Sequence, residues 1–260
     1  MLTRQEMTKR WNISGSFLHA AKSNKMNARE LSGWLKITTI IMGLMPIAVF
    51  CAITSMVLPL GGGAFMSLIE MVGTFLFGLL FMMVIYSLIL LIFGRQNPVI
   101  FWKKYVPTML QVFSIASINA SIPVNMEACE KKLGIDKKIY SFSIPVGATL
   151  NMDGTCVMLA VFTLTLAKMY GIVLPGSAVL SMALSIILLS MGAPCVPGAM
   201  VVCFSALFSQ IGLSLDAINI VVGLGPILGM FLTMTNCLGD VVVTTVVAKS
   251  EGLLREETYT

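Results

Sequence analysis

Long runs of apolar residues, nearly free of charge, dominate the pattern along the 260-residue chain. Each of four runs is long enough to cross a hydrocarbon core of about 30 Å as a single helix. The runs are Ile37–Pro59, Ile69–Phe93, Ile139–Ala167 and Ala217–Ala248. The last two each hold an acidic residue, Asp153 in the motif NMDGT and Asp240 in the motif NCLGD. We therefore predict four membrane-spanning helices, two of which carry a carboxylate away from their ends.

Two further apolar segments do not have the pattern of a simple crossing. Tyr105–Met126 has 22 residues, so it is too short to cross twice, and we expect Pro107 and Pro123 to break it. Met169–Leu215 has 47 uncharged residues, with the turn-forming stretch GAPCVPG near its middle. Each segment either crosses the membrane or enters it and returns as a re-entrant hairpin.

The distribution of Lys and Arg decides between these topologies for the first segment. If Tyr105–Met126 returns to the side from which it entered, 16 of the 17 basic residues lie on one face and only Lys168 on the other. If it crosses, the split is 11 to 6. Because basic residues concentrate on the cytoplasmic side, the pattern favours a re-entrant hairpin, with both termini cytoplasmic, in a plasma (inner) membrane protein. For the second segment two crossings and one hairpin give the same count, and only its uncharged tip favours the hairpin.

Composition excludes most soluble classes of protein. Hydrophobic residues make up 57% of the chain and charged residues 11%, and the mean hydropathy is +0.92, values typical of an integral membrane protein. The six cysteines are scattered without a C-x-x-C spacing, and His19 is the only histidine. These features disfavour a transition-metal site, a His-dependent triad and a membrane enzyme.

The two halves of the chain repeat one arrangement. SINASIPV (117–124) precedes the run with NMDGT, and SMGAPCVPG (190–198) precedes the run with NCLGD. Because the first hairpin opens inward and the second outward, the halves are related upside-down. Inverted repeats with broken helices near the midplane are typical of secondary transporters. We therefore expect both acid-bearing helices to be broken at their Asn-x-x-Gly turns.

A carboxylate in hydrocarbon is costly and needs a partner or water. Neither Asp153 nor Asp240 shares its run with a Lys or Arg, so a bound cation is the natural partner. Freed backbone carbonyls beside the acids would suit a hard cation such as sodium, and N–H groups at the hairpin tips would suit an anion. Protonated acids, structural hydrogen bonds between helices and proton coupling remain alternatives.

At these motifs the sequence also resembles the glutamate/aspartate, dicarboxylate and neutral amino-acid:cation symporters. The matching stretches are GLMPIAVFCAI (43–53), SINASIPVN (117–125), YSFSIPVGATLNMDGT (140–155), SMGAPCVPGA (190–199) and TNCLGDVVVTTVVAKSEG (235–252). They extend over about residues 37–252. The resemblance implies an inverted-repeat transporter core, sodium as the coupling ion and alternating access.

The resemblance also implies residue roles. One sodium would lie between carbonyls of Gly147, Asn151 and Asn236 and the carboxylate of Asp240. A second would use main-chain oxygens of Thr149, Ser190, Met191 and Ala193, and a third the side chains of Asn151 and Asp153. Substrate contacts map to Ser117, Ile118, Asn119, Thr155, Thr233 and Asn236, with Val196–Gly198 as a gate.

Two departures from the family bear on the substrate. The Arg that binds a side-chain carboxylate in acidic amino-acid carriers is Leu232 here, and the Asp that takes the substrate amino group is Gly229. We expect a small carboxylate with an apolar or neutral polar remainder, because a second charge would lie buried and unpaired. Relative to the family the chain lacks the first three or four spanning segments, so a homotrimer is implied by resemblance only. A non-transporting remnant, or a partner of a full-length carrier, is the alternative.

The predicted fold class is an all-α integral membrane protein with an inverted-repeat secondary-transporter core, two re-entrant helical hairpins and two broken transmembrane helices. Its segments are 1–36, a basic cytoplasmic segment; 37–94, two transmembrane helices; 95–138, a cytoplasmic loop and the first hairpin; 139–168, the broken helix with NMDGT; 169–215, the second hairpin; 216–250, the broken last helix; and 251–260, a cytoplasmic tail.

Overall fold

The computed structural model of the protein describes Thr54, residues 66–192 and residues 199–259. Over these residues the chain is helical and contains no β-strand. The helices are α1 (Met66–Ile92), α2 (Pro98–Ile115), α3 (Ile118–Lys131), α4 (Lys137–Leu150), α5 (Asp153–Met169), α6 (Gly176–Gly192), α7 (Ala199–Ile211), α8 (Ile218–Ser250) and α9 (Glu256–Tyr259). A 3-10 turn, Leu215–Ala217, leads directly into α8. The predicted all-helical class is confirmed.

Three helical stretches are long and apolar enough to cross a membrane: Met66–Ile92, Lys137–Met169 and Ile227–Ser250. They overlap three of the four runs predicted to span. The fourth predicted run, Ile37–Pro59, lies outside the described residues apart from Thr54. Within the apolar stretch of each helix, 22% of α1 is buried and 72% of α8. α1 therefore lies at the outside of the bundle, and α8 forms its centre.

The run that contains NMDGT is interrupted at two residues. α4 ends at Leu150, Asn151 is extended with φ −89° and ψ 94°, and α5 begins at Asp153. The amide N–H of Asn151 donates to the Gly147 carbonyl at 2.8 Å and closes α4, and the Cys156 N–H donates to the Met152 carbonyl at 2.9 Å and opens α5. This interruption lies where the Asn-x-x-Gly motif predicts one.

The last helix differs from its prediction. α8 runs without a break from Ile218 to Ser250, through the NCLGD motif. The predicted break at this motif is therefore wrong. Position 239 needs a glycine because the space beside it is occupied. A Cβ there would lie 2.5 Å from Asn151 Nδ2 and 2.7 Å from Tyr86 Oη. The glycine permits close approach of other elements rather than an unusual backbone.

α2 and α3 form the first helical pair. Asn97 caps α2 by accepting from the Val99 N–H at 2.9 Å, and the residue that follows α2, Ala116, has the left-handed conformation, with φ 51°. Ser117 then caps α3. Pro107 and Pro123, expected to break this segment, lie inside α2 and α3, so the turn at Ala116–Ser117 is what separates the helices.

α6 and α7 form the second helical pair, whose connection (193–198) lies outside the described residues. α6 also packs against α5, and α7 packs against α5 and α8. α8 contacts α2, α3, α4, α5 and α7. Both pairs therefore lie around the interrupted helix and α8.

Apolar side chains collect in two large clusters that share α1 and α8. One joins the start of α1 with α5, the second helical pair and the first half of α8, and includes Phe75, Phe162 and Phe204. The other joins the end of α1 with the first pair, α4, the second half of α8 and the tail, and includes Tyr105 and Tyr259. The interruption of α4–α5 lies between them.

Candidate functional site

Polar side chains of α8 face the interruption between α4 and α5. The side-chain oxygen of Asn236 accepts from the Gly154 N–H at 2.7 Å, and its nitrogen donates to Thr155 Oγ1 at 3.3 Å and to Met152 Sδ at 3.5 Å. Met152, the residue at the cap position of α5, makes no side-chain cap of its own. Asn236, 0% exposed, thus caps the start of α5 from another helix, as an N-terminal turn requires.

Asp240 lies one helical turn after Asn236 on the same face of α8, and it is 3% exposed. Its Oδ1 accepts from Asn151 Nδ2 at 3.0 Å, and the same nitrogen approaches the Asn236 carbonyl at 3.3 Å. Among the described residues the buried Oδ2 of Asp240 has no hydrogen-bond partner. A buried acceptor without a partner is costly, so this atom is where a cation would be held most favourably.

Glycines let these elements meet. A Cβ on Gly147 would overlap the carboxylate of Asp240, and a Cβ on Gly154 would lie 3.0 Å from Asn236 Oδ1 and 3.1 Å from the Leu232 carbonyl. Both positions, like Gly239, therefore need the absence of a side chain rather than a left-handed backbone. The motif glycines let α4 and α5 approach α8 closely around the two acids.

Asp153, the first residue of α5, is half-buried. Its Oδ2 accepts a hydrogen bond of 2.7 Å from the hydroxyl of Tyr86 on α1. The one signal for Tyr86 in the sequence is its place as the single tyrosine in the run Ile69–Phe93, seven residues before the end of that run.

The tip of the first helical pair adjoins the interruption. Ile118 packs with Ala148, Met152 and Cys237 in a small apolar cluster beneath the site. Ser117 is half-buried as the cap of α3, and Asn119 is exposed. Of the three predicted tip residues, Ile118 is 7% exposed and used in packing, so the other two are better placed to meet a ligand.

The remaining predicted residues differ in burial, and some lie outside the described residues. Thr155, Thr233 and Ser190 are buried, and Ser190 Oγ lies 3.0 Å from Cys156 Sγ, which brings the end of α6 beside the start of α5. Thr149 is exposed, with its hydroxyl donating to the Val146 carbonyl, and Met191 is 50% exposed. The predicted residues Ala193, Val196 and Gly198 lie outside the described residues.

The assembled group offers oxygen atoms and amide groups but no cationic side chain. The acids, Asn151, Asn236 and nearby carbonyls suit a hard cation such as sodium, which prefers oxygen ligands. No three His, Cys, Asp or Glu residues cluster within the described ranges, so a site that demands such ligands is not formed there. The arrangement is suited to an alkali cation held by one carboxylate and neutral oxygens.

Comparison with known proteins agrees with this chemistry. The model of the sodium:dicarboxylate symporter family matches residues 32–250. Excitatory amino acid transporter 2 of Homo sapiens is 29% identical over 214 residues, which is 79% of this chain and 36% of that protein. Excitatory amino acid transporter 3 of Mus musculus is 31% identical over 220 residues, 83% of this chain and 42% of that protein.

An excitatory amino acid transporter of Caenorhabditis elegans is 30% identical over 211 residues, and the match covers 42% of its length. The chain thus spans well under half of these relatives. The matched region includes both acid-bearing helices and both helical pairs, so it contains every element of the site described above. The chain belongs to the sodium:dicarboxylate symporter family.

Proposed function

We propose that the chain carries the transport core of a sodium-coupled symporter that works by alternating access. The observation that supports this most directly is the group formed by Asp240, Asn151 and Asn236, in which a buried carboxylate oxygen lacks a partner among the described residues. A sodium ion would satisfy that oxygen. Gly147 adjoins the same carboxylate, as the proposed site for one sodium requires.

Other features belong to the same proposal. The first and second helical pairs would be re-entrant hairpins of an inverted repeat in the plasma membrane, with both termini cytoplasmic and homotrimers as the assembly. The caps and tight turn at Ala116–Ser117 are consistent with a hairpin tip placed beside the interrupted helix. Asn151 and Asp153 would hold a further sodium, and Thr149, Ser190 and Met191 another.

The substrate would be a small carboxylate with an apolar or neutral polar remainder. Leu232 is 9% exposed and packs in the apolar cluster of α5 and α7, and a Cβ at Gly229 would meet no atom within 4 Å. Neither position supplies a charge, so a second carboxylate on the substrate would be desolvated without a cation. The excitatory amino acid transporters among the relatives would differ in this respect.

The test is a thermal-shift screen of the purified chain in detergent, in sodium and in choline, across amino acids and small mono- and dicarboxylates. A ligand at a hundred times its dissociation constant stabilises the folded state by about 2.7 kcal/mol. We expect the shift to need both sodium and a monocarboxylate. Leu232→Arg should move the preference towards dicarboxylates. A folded protein whose melting temperature changes with none of these ligands would contradict the proposal.

Asp240→Asn tests the cation site itself. Loss of the charge should abolish the sodium-dependent part of the shift, because the amide keeps an oxygen ligand but lacks the negative charge that compensates for the desolvation of a buried cation. Asp216→Asn is the matched control, since Asp216 is an exposed acid outside the site, hydrogen-bonded to Ser214. Unchanged sodium dependence in Asp240→Asn would overturn the assignment, and a ligand shift that follows pH in sodium-free buffer would favour proton coupling.

A further inference from the structure

Tyr86 is a buried side chain of α1 that reaches the interruption of α4–α5. It is 2% exposed, although many of its neighbours on α1, such as Phe81 and Leu88, are about half exposed or more. Its hydroxyl donates to Asp153 Oδ2 at 2.7 Å across 67 residues of sequence. A hydrogen bond to a carboxylate is stronger than one between neutral groups and fixes the rotamer of the acid.

The position of the Tyr86 hydroxyl is set from a second side as well. A Cβ on Gly239 would lie 2.7 Å from the hydroxyl oxygen and 2.5 Å from Asn151 Nδ2. The tyrosine hydroxyl, the asparagine amide and the backbone of α8 therefore meet at one point. Gly239 of α8 leaves room there because it has no side chain, and the hydroxyl fits closely against its backbone. The hydroxyl therefore has little freedom to move away from Asp153.

We propose that Tyr86 is a positioning residue for the cation held by Asn151 and Asp153, an inference that rests on the proposed function. By occupying one oxygen of the Asp153 carboxylate, the hydroxyl fixes the plane of that carboxylate. The other oxygen is then directed towards the cation together with the side chain of Asn151. α1 thereby takes part in ion binding although it supplies neither of the acids.

The test measures the sodium dependence of thermal stability for the whole chain in detergent. Tyr86→Phe keeps the ring and removes the hydroxyl. Groups that orient metal ligands typically change metal affinity by about 10- to 100-fold when lost, so the sodium concentration for half-maximal stabilisation should rise about tenfold or more. The ratio of the sodium to the lithium response should change too, since the geometry of the carboxylate selects between cations.

Tyr105→Phe is the matched control. Tyr105 is also fully buried, and its hydroxyl donates to Asn125 Oδ1 at 3.0 Å in the first helical pair rather than to either acid. Both variants lose a buried hydroxyl, so their melting temperatures in choline should fall similarly, and only Tyr86→Phe should alter the sodium curve. Gly239→Ala should raise the half-maximal sodium concentration in the same way, because the methyl group displaces the hydroxyl.

A sodium curve in Tyr86→Phe that equals that of the wild type, or that equals a raised curve in Tyr105→Phe, would overturn the inference. A wild-type chain without any sodium response would instead contradict the proposed function. The two failures are therefore distinguishable in one experiment.

Discussion

The two helical pairs have similar sequence patterns but are held by different kinds of contact. In the first pair, the buried hydroxyl of Tyr105 donates to Asn125, and Lys132 Nζ donates to Thr108 Oγ1 at 2.8 Å. In the second pair, Gln210 donates to Ser181 at an exposed position, and the buried thiol of Cys203 makes a weak contact of 4.0 Å with the Leu189 carbonyl. The other buried contacts described for this pair are apolar.

The first pair is also tied to the C-terminal tail. Lys104 Nζ donates to the Thr258 carbonyl at 2.5 Å, and an isolated bridge joins Ile135 to Leu254. The tail thus connects α2 with the loop after α3. Helices in lipid gain little from apolar contact with one another, so polar ties fix the first pair more firmly than packing fixes the second.

Removing an aromatic ring from the second pair should have the largest effect. Phe204 is 0% exposed, with its ring 5.9 Å from that of Phe162 and 5.5 Å from that of Phe208. Phe204→Ala should lower the free energy of unfolding by about 3–5 kcal/mol, because it leaves a cavity that rigid neighbours cannot fill. Denaturant unfolding in detergent measures this. Leu188→Ala, at a site 72% exposed on α6, is the control, and an equal loss there would refute packing as the tie.

Detaching the tail should affect the first pair rather than the second. Tyr259 is 0% exposed, and Tyr259→Ala should remove about 1.5–3 kcal/mol of burial free energy from tail docking. Trypsin cleavage after Arg255 should then be at least about tenfold faster, as each 1.4 kcal/mol is tenfold. Tyr170→Ala, at an exposed position after α5, is the control. An unchanged cleavage rate would mean that other contacts hold the tail.

The same docking should depend on pH. Burial raises the pKa of Tyr259 from 10.0 to about 12. Because the docked state has the higher pKa, its stabilisation is complete below pH 10 and is lost as the pH rises towards 12. Cleavage after Arg255 should therefore accelerate over this window in the wild type, and Tyr259→Phe should remove that acceleration.

The sequence predicts the spans and the interruption at NMDGT because these follow from local patterns: uncharged length, and an acid beside Asn-x-x-Gly. It does not predict that Asn236 caps α5, since the two partners are 82 residues apart. The pairing of Tyr86 with Asp153 is equally remote from any local signal.

The wrong prediction of a break in α8 has a specific cause. Gly154 and Gly239 have the same neighbours in sequence, an acid and an Asn-x-x-Gly turn, but only the first lies beside an interruption. Both glycines leave room for a neighbouring element and neither has a left-handed backbone, so the shared motif does not by itself mark a break. The partners that fill the space at Gly239, Tyr86 and Asn151, are distant from it in sequence.

The smallest effect separates the two pairs most cleanly. Asn125 is 1% exposed, and Asn125→Ala would leave the hydroxyl of Tyr105 buried without its acceptor. A buried polar group left unsatisfied costs about 1–3 kcal/mol, so the free energy of unfolding should fall by that amount. Gln210→Ala removes the corresponding side-chain hydrogen bond of the second pair, but at an exposed site, where changes usually stay within about 0.5 kcal/mol. Denaturant unfolding of both variants in one detergent compares them directly. Equal losses would mean that the two pairs are held alike, and that the polar ties of the first pair add nothing beyond packing.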